Sequence, residues 1–157
     1  MSKLTIALDI MGGDHGPPVI LSAAVKAIQL HPHIRFTLCG DESVIESGIT
    51  ALTSDERDRV EIVHCSQTVE MGEAPTSALR NKKDSSMRRA LERVKSGEAS
   101  ACVSAGNTGA LLTLSFYLLK TLSGIDRPAL INMLPTTSNH NVFPVSYTHL
   151  RAHETSN

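Results

Sequence analysis

The chain has no tryptophan, only 3% aromatic residues over 157 positions, and a formal net charge of −1. Stacking bases or tracking a phosphate backbone needs aromatic platforms and a basic footprint, so these shortages argue against nucleic acid as a partner. No apolar run approaches the roughly 20 residues that a bilayer span requires. The first residues read as a buried strand without a cleavage-type signal. Cysteine is scarce too. Cys39, Cys65 and Cys102 lack metal-type spacing and fall at or near the ends of expected strands, so they read as small buried thiols of a reducing compartment rather than catalytic nucleophiles. What remains, 41% hydrophobic and 20% charged, is the composition of one cytoplasmic globular domain.

Strand-like runs at 4–9, 34–39, 60–64, 101–104 and 129–134 alternate with helical patterns at about 18–30, 42–52, 75–80, 86–96 and 109–121. Such alternation means β-α-β units and a mostly parallel sheet. In Ser86–Ser96 the residues Met87, Ala90, Leu91 and Val94 share one face, and Gly97 is the expected stop.

Three places are suited to an anion. In Ala101–Ala110 a short apolar run breaks into small polar residues and reopens as a helix, which reads as strand, turn and helix start. Gly106 and Gly109 allow close backbone approach, the first helical turn leaves N–H groups free, and Ser104, Asn107 and Thr108 add side-chain donors. The stretch lacks a P-loop ending and the dinucleotide spacing, so a bare phosphate or carboxylate is the expected ligand. A second turn of this build follows Leu4–Asp9 at Ile10–Pro18, with Gly12 and Gly13 and the titratable groups Asp9, Asp14 and His15. Asp14 reads equally as a cap, and His15, without a partner, as a solvated loop histidine. The third place is the cationic stretch Arg80, Lys82 and Lys83 ahead of a helix opened by Ser85 or Ser86; on charge alone it is a solvated basic face. Because ligands of open α/β sheets sit beyond the carboxyl ends of the strands, loops 11–16 and 104–109 and the helix start at 85–88 are expected to converge there.

Four segments, Ala7–Pro17, Lys82–Arg88, Cys102–Ala110 and Gly124–Leu130, together closely resemble the bacterial phosphate acyltransferase family, in order and without a gap over residues 3 to about 136. The resemblance implies transfer of a fatty acyl group from acyl carrier protein to inorganic phosphate, giving an acyl phosphate for phospholipid synthesis, with no organic cofactor and no metal. It also implies a three-layer α/β/α fold like that of the isocitrate and isopropylmalate dehydrogenases, homodimers in the full-length form, and a cytoplasmic enzyme with peripheral association at the inner face of the membrane left open. On this resemblance Asp9, Asp14, Lys83 and Asn107 are the candidate catalytic groups. Gly12, Gly13, His15, Ser85, Ser86, Arg88, Ser104, Gly106, Thr108 and Gly109 are the candidate substrate-binding residues. Arg80, Lys82, Arg89 and Arg93 offer a docking face for the acidic carrier protein. The alternatives are a phosphate acetyl- or butyryltransferase acting on coenzyme A thioesters and a phosphate-binding module without catalysis.

The resemblance stops abruptly after Leu134-Pro-Thr. Residues 144–157 show no helical or strand periodicity, and Val145–Glu154 is the translation of a transposase sequencing adapter, GTC TCT TAT ACA CAT CTC CGA GCC CAC GAG. The expected division is therefore 1–143, the amino-terminal portion of the family domain, and 144–157, a non-native tail that makes few packing contacts from about 145 onward. Truncation there is expected to leave the chain inactive. His149 and His153, although spaced i, i+4, are not read as metal ligands for the same reason.

Overall fold

The computed structural model describes residues 4–126, 128–135 and 140–145. Contacts divide the chain into a unit ending at Lys120 and one beginning at Thr121. In the first, β1 (Thr5–Asp9), β2 (Arg35–Gly40), β3 (Val60–His64) and β4 (Ala101–Ser104) form an all-parallel sheet in the order β3-β2-β1-β4. The helices are α1 (Pro17–Leu30), α2 (Glu42–Gly48), α3 (Ser54–Arg57), α4 (Pro75–Asn81), α5 (Ser86–Ser96) and α6 (Thr108–Leu119).

Strand alternation sorts the side chains to two faces. Phe36, Leu38 and Val60 pack with Leu21, Ala24 and Ile28 of α1 and Ile45 of α2. On the opposite face Ala7, Cys39 and Val63 pack with Ala90 of α5. Helices on both faces of one sheet make three layers. A further cluster, Ala78, Met87, Leu91, Ala110 and Leu114, binds α4, α5 and α6 together. The chain leaves β1 toward β2 and β3 through α1 and α2 on one face and returns to β4 through α5 on the other. Strand order therefore reverses between β1 and β4, and in open α/β sheets ligands bind beyond the carboxyl ends of the strands at such a switch point.

The elements depart from the sequence reading in three places. The helix expected over 42–52 stops at Gly48, and α3 follows from a capping box in which Glu56 N–H donates to Thr53 Oγ1 at 3.4 Å and Thr53 N–H donates to Glu56 Oε2 at 2.8 Å. Apolar spacing does not register a cap, so this start was missed. The strand expected over 129–134 exists as β5 (Leu130–Pro135) but is not a fifth parallel strand: it pairs antiparallel with β6 (His140–Val145) in the second unit. Pro144 and Val145, expected to have no regular structure, end β6; an antiparallel ladder is held by backbone groups and needs no side-chain period. The rest of the tail, including Tyr147 and Leu150, lies outside the described residues.

Candidate functional site

The candidate crevice, the switch point between β1 and β4, is built on a register pair. Asp9 ends β1 directly opposite Ser104, which ends β4. Ser104 Oγ donates to Asp9 Oδ2 at 2.6 Å and accepts the N–H of Gly106 at 3.0 Å, so a carboxylate and a hydroxyl fix the turn that leads into α6. Asp9 is 2% exposed, and its Oδ1 has no hydrogen-bond partner among the described residues. An unpaired buried acceptor costs about 1–3 kcal/mol, an expense tolerated more often at sites than elsewhere.

Two glycines make this geometry possible. A Cβ on Gly12 would lie 2.7 Å from Asp9 Oδ2 and 3.0 Å from both Cα and N of Gly106. A Cβ on Gly106 would lie 2.9 Å from the terminal methyl of Met87, in the first turn of α5. The loops after β1 and β4 and the start of α5 therefore touch at one point. Beside it, Gly13 (φ 96°) lies against Ala105, and its carbonyl accepts the N–H of Gly16 at 3.3 Å. Asp14 and His15 sit exposed in that turn. Neither caps α1, whose N-cap is Gly16 without a side-chain bond.

The remaining candidates divide by what already occupies them. Thr108 and Gly109 open α6, where the first N–H groups have no carbonyl four residues back. Thr108 is exposed, whereas a Cβ on Gly109 would lie 3.1 Å from Pro75 Cγ, so that glycine serves the approach of α4. Asn107 is 8% exposed with its amide committed: Oδ1 caps α6 through Ala110 N–H at 3.0 Å, and Nδ2 donates to backbone carbonyls of the Glu70–Glu73 turn. Ser85, fully buried, caps α5 by accepting Arg88 N–H and donating to the Lys82 carbonyl. Ser86 donates its N–H to the Gln67 carbonyl, and its Oγ, 1% exposed, has no partner among the described residues. Arg88 runs along its helix to Glu92 at 2.9 Å and to the Leu79 carbonyl, so its charge is spent away from the crevice. Lys83 is exposed and forms no ion pair with a described residue.

Sequence reasoning missed the bracket that seats α5. Ser66 donates both N–H and Oγ–H to Asp84 Oδ2, Gln67 Oε1 accepts the Asp84 N–H, and Gln67 N–H donates to the Asp84 carbonyl. Hydrogen bonds from the Ser66 backbone and then its hydroxyl hold the Asp84 carboxyl below its usual range. Only the Ser–Gln…Asp polarity beside a strand end could have signalled it. Of the expected docking cations, Lys82 pairs with Glu73, Arg89 with Asp84 and Glu92, and Arg93 with Glu61 and Glu98. The thiols take no part. Burial, reinforced by the nearby Asp9 charge, pushes Cys102 up to about 12, and hydrogen bonding to Cys65 together with burial pushes Cys39 up. Among the described residues no three His, Cys, Asp or Glu side chains are grouped to hold a metal ion, and no helix is long and apolar enough to cross a membrane.

A protein of Pseudoalteromonas atlantica named phosphate acyltransferase is 54% identical over 143 residues, covering 91% of this chain and 42% of its own length. Namesakes from Halorhodospira halophila and Methylococcus capsulatus are 53% and 52% identical, covering 86% and 87% of this chain and 39% and 40% of their own lengths. This chain thus spans about two fifths of the relatives it matches. The profile of the fatty acid synthesis protein family matches residues 4–144, which takes in β1 through α6 and every residue of the crevice. The chain belongs to the fatty acid synthesis protein family.

Proposed function

We propose that a protein carrying this chain is a phosphate acyltransferase that moves a fatty acyl group from the thioester of acyl carrier protein to inorganic phosphate. The observation that carries the reading is the meeting of Gly12, Gly106 and Met87, which brings two glycine loops and the first turn of α5 to one sheet edge. Free N–H groups at the start of α6 and the Lys83 ammonium suit a doubly charged phosphate, and no protein nucleophile is needed because phosphate itself attacks. A phosphate oxygen bonds to the thioester carbon, and the oxyanion so formed is held by N–H donors of the turn. Collapse breaks the C–S bond, and the departing sulfur takes the proton carried by the phosphate, leaving acyl phosphate and free thiol. Asp9 acts through Ser104, keeping the turn open. Asp14, exposed beside Gly13, faces the incoming donor. His15 and Thr108 line the rim, and the buried Ser86 hydroxyl lies beneath it.

The same reading places the four strands within the larger dehydrogenase-like sheet, the whole protein as a homodimer in the cytoplasm, and peripheral membrane contact in the full-length form. Because this chain spans about two fifths of the length of its relatives, it alone is expected to bind phosphate without turnover. The test measures acyl phosphate formation from palmitoyl-acyl carrier protein and phosphate, with palmitoyl-coenzyme A as a parallel donor, using this chain and a version extended to the length of its relatives. Turnover by the extended protein with the carrier protein alone supports the reading. Turnover only with coenzyme A points to the acetyl- or butyryltransferase alternative. Phosphate binding without turnover in either form leaves a binding module.

A further inference from the structure

Asn107 couples two elements through one side chain. Its Oδ1 caps α6. Its Nδ2 donates to three carbonyl oxygens, those of Glu70 at 3.2 Å, Met71 at 2.9 Å and Glu73 at 2.8 Å. An amide nitrogen has two protons, so one is shared and the group has nothing left for a ligand. The turn is also closed on itself: Glu73 N–H donates to the Glu70 carbonyl at 3.1 Å, and the Glu73 carboxylate accepts from Glu70 N–H and from Ser77 Oγ. With its carbonyls drawn inward, the turn presents Met71, 42% exposed, and Gly72, which has open space around it. A flexible apolar side chain is therefore carried on a pinned turn, one hydrogen bond from the residue that opens α6.

Resting on the phosphate acyltransferase reading, we propose that the Glu70–Glu73 turn is the acyl-donor wall of the site and that Asn107 is the positioning residue that holds it there. A long-chain acyl thioester is uncharged at its carbonyl and apolar beyond it, so the surface beside the phosphate must offer apolar contact, and an unbranched thioether adapts to such a chain. Asn107 touches no reacting atom. It sets the distance between the anion-binding turn and the apolar wall.

Two substitutions separate capping from clamping. Asn107→Asp keeps an acceptor as good for the helix cap but removes the donors and turns a carboxylate toward three carbonyls. Met71→Ala keeps the clamp and removes the apolar contact. On the 157-residue chain, hydrogen exchange over residues 68–74, phosphate affinity by NMR titration and binding of palmitoyl-pantetheine thioester are measured for each. Asn107→Asp is expected to speed exchange across the turn and weaken the thioester about tenfold, the scale of one or two net hydrogen bonds, and its added negative charge at the start of α6 weakens phosphate as well. Met71→Ala weakens the thioester alone and leaves exchange unchanged. Unchanged exchange in Asn107→Asp, or full thioester affinity there, overturns the positioning role. Should Asn107→Asp not fold, Met71→Ala decides the wall: full thioester affinity there overturns it. A wild-type chain that binds phosphate but no thioester also overturns the wall, and one that binds neither overturns the underlying functional reading, while the exchange result still decides the clamp.

Discussion

Replacing Gly12 by alanine tests the crevice where it is tightest. The added Cβ meets Asp9 Oδ2 at 2.7 Å and two backbone atoms of Gly106 at 3.0 Å. None of these is the far end of a flexible side chain: Asp9 is held by Ser104 and buried, and Gly106 is pinned through its N–H. Overpacking against unyielding atoms costs about 1–3 kcal/mol, so about 2 kcal/mol is expected, a factor of about 30 in the folding equilibrium. In urea, followed by far-ultraviolet circular dichroism, that is a midpoint shift of roughly 1 M at an unchanged slope. Gly72→Ala is the control, because nothing lies within 4 Å of a Cβ there. A double-mutant cycle with Asp9→Ala assigns the clash. Removing the carboxylate should recover part of the Gly12→Ala cost and leave the part due to Gly106. The reasoning fails if Gly12→Ala and Gly72→Ala shift the midpoint equally, or if the two substitutions at Asp9 and Gly12 prove additive.

Arg59 donates to the carbonyls of Ile28, His31 and Ile34 at 2.7, 3.0 and 2.9 Å, closing the end of α1 onto β2, so Arg59→Ala is expected to destabilise by about 2 kcal/mol, checked by the same urea titration. Because the Asp84 carboxyl is held below its unfolded value of about 3.9, its contribution is present above that pH and fades as pH falls through the lower folded value. Exchange at the start of α5 should therefore quicken below about pH 4, and Asp84→Asn should remove that dependence. With its thiol pushed up to about 12, Cys102 should react with iodoacetamide at pH 8 about a thousandfold more slowly than a free cysteine peptide, and reaction at the free rate would contradict the burial described.

The four parallel strands and the amphipathic α5 were legible because burial writes its period into the residues: Met87, Ala90 and Leu91 point to one side, and Gly97 takes the left-handed conformation (φ 80°) that stops the helix. The loops were legible from glycine and small polar residues after strands. What such patterns do not carry is who bonds whom. Asn107 reads as a ligand group until its amide is found among three carbonyls, and Arg88 reads as a phosphate cation until Glu92 is found one helical turn away. Gly109 shows the same ambiguity, since a missing Cβ looks alike in sequence whether a ligand or Pro75 fills the space. The antiparallel hairpin of β5 and β6 escaped for the opposite reason, its pairing being written in backbone groups that every residue has.

The register that sets Asp9 opposite Ser104 also orders events in time. These residues are 95 positions apart, whereas β1 meets β2 through partners such as Thr5 and Arg35, 30 apart. Closing the longer loop costs ~1 kcal/mol more chain entropy, so the three-strand half is expected to assemble first and β4 to dock afterwards. The turn that leads into α6 waits on that last arrival. On the proposed function, recovery of phosphate affinity after a denaturant jump should therefore lag the recovery of α1 packing, making phosphate binding a clock for the completion of the sheet.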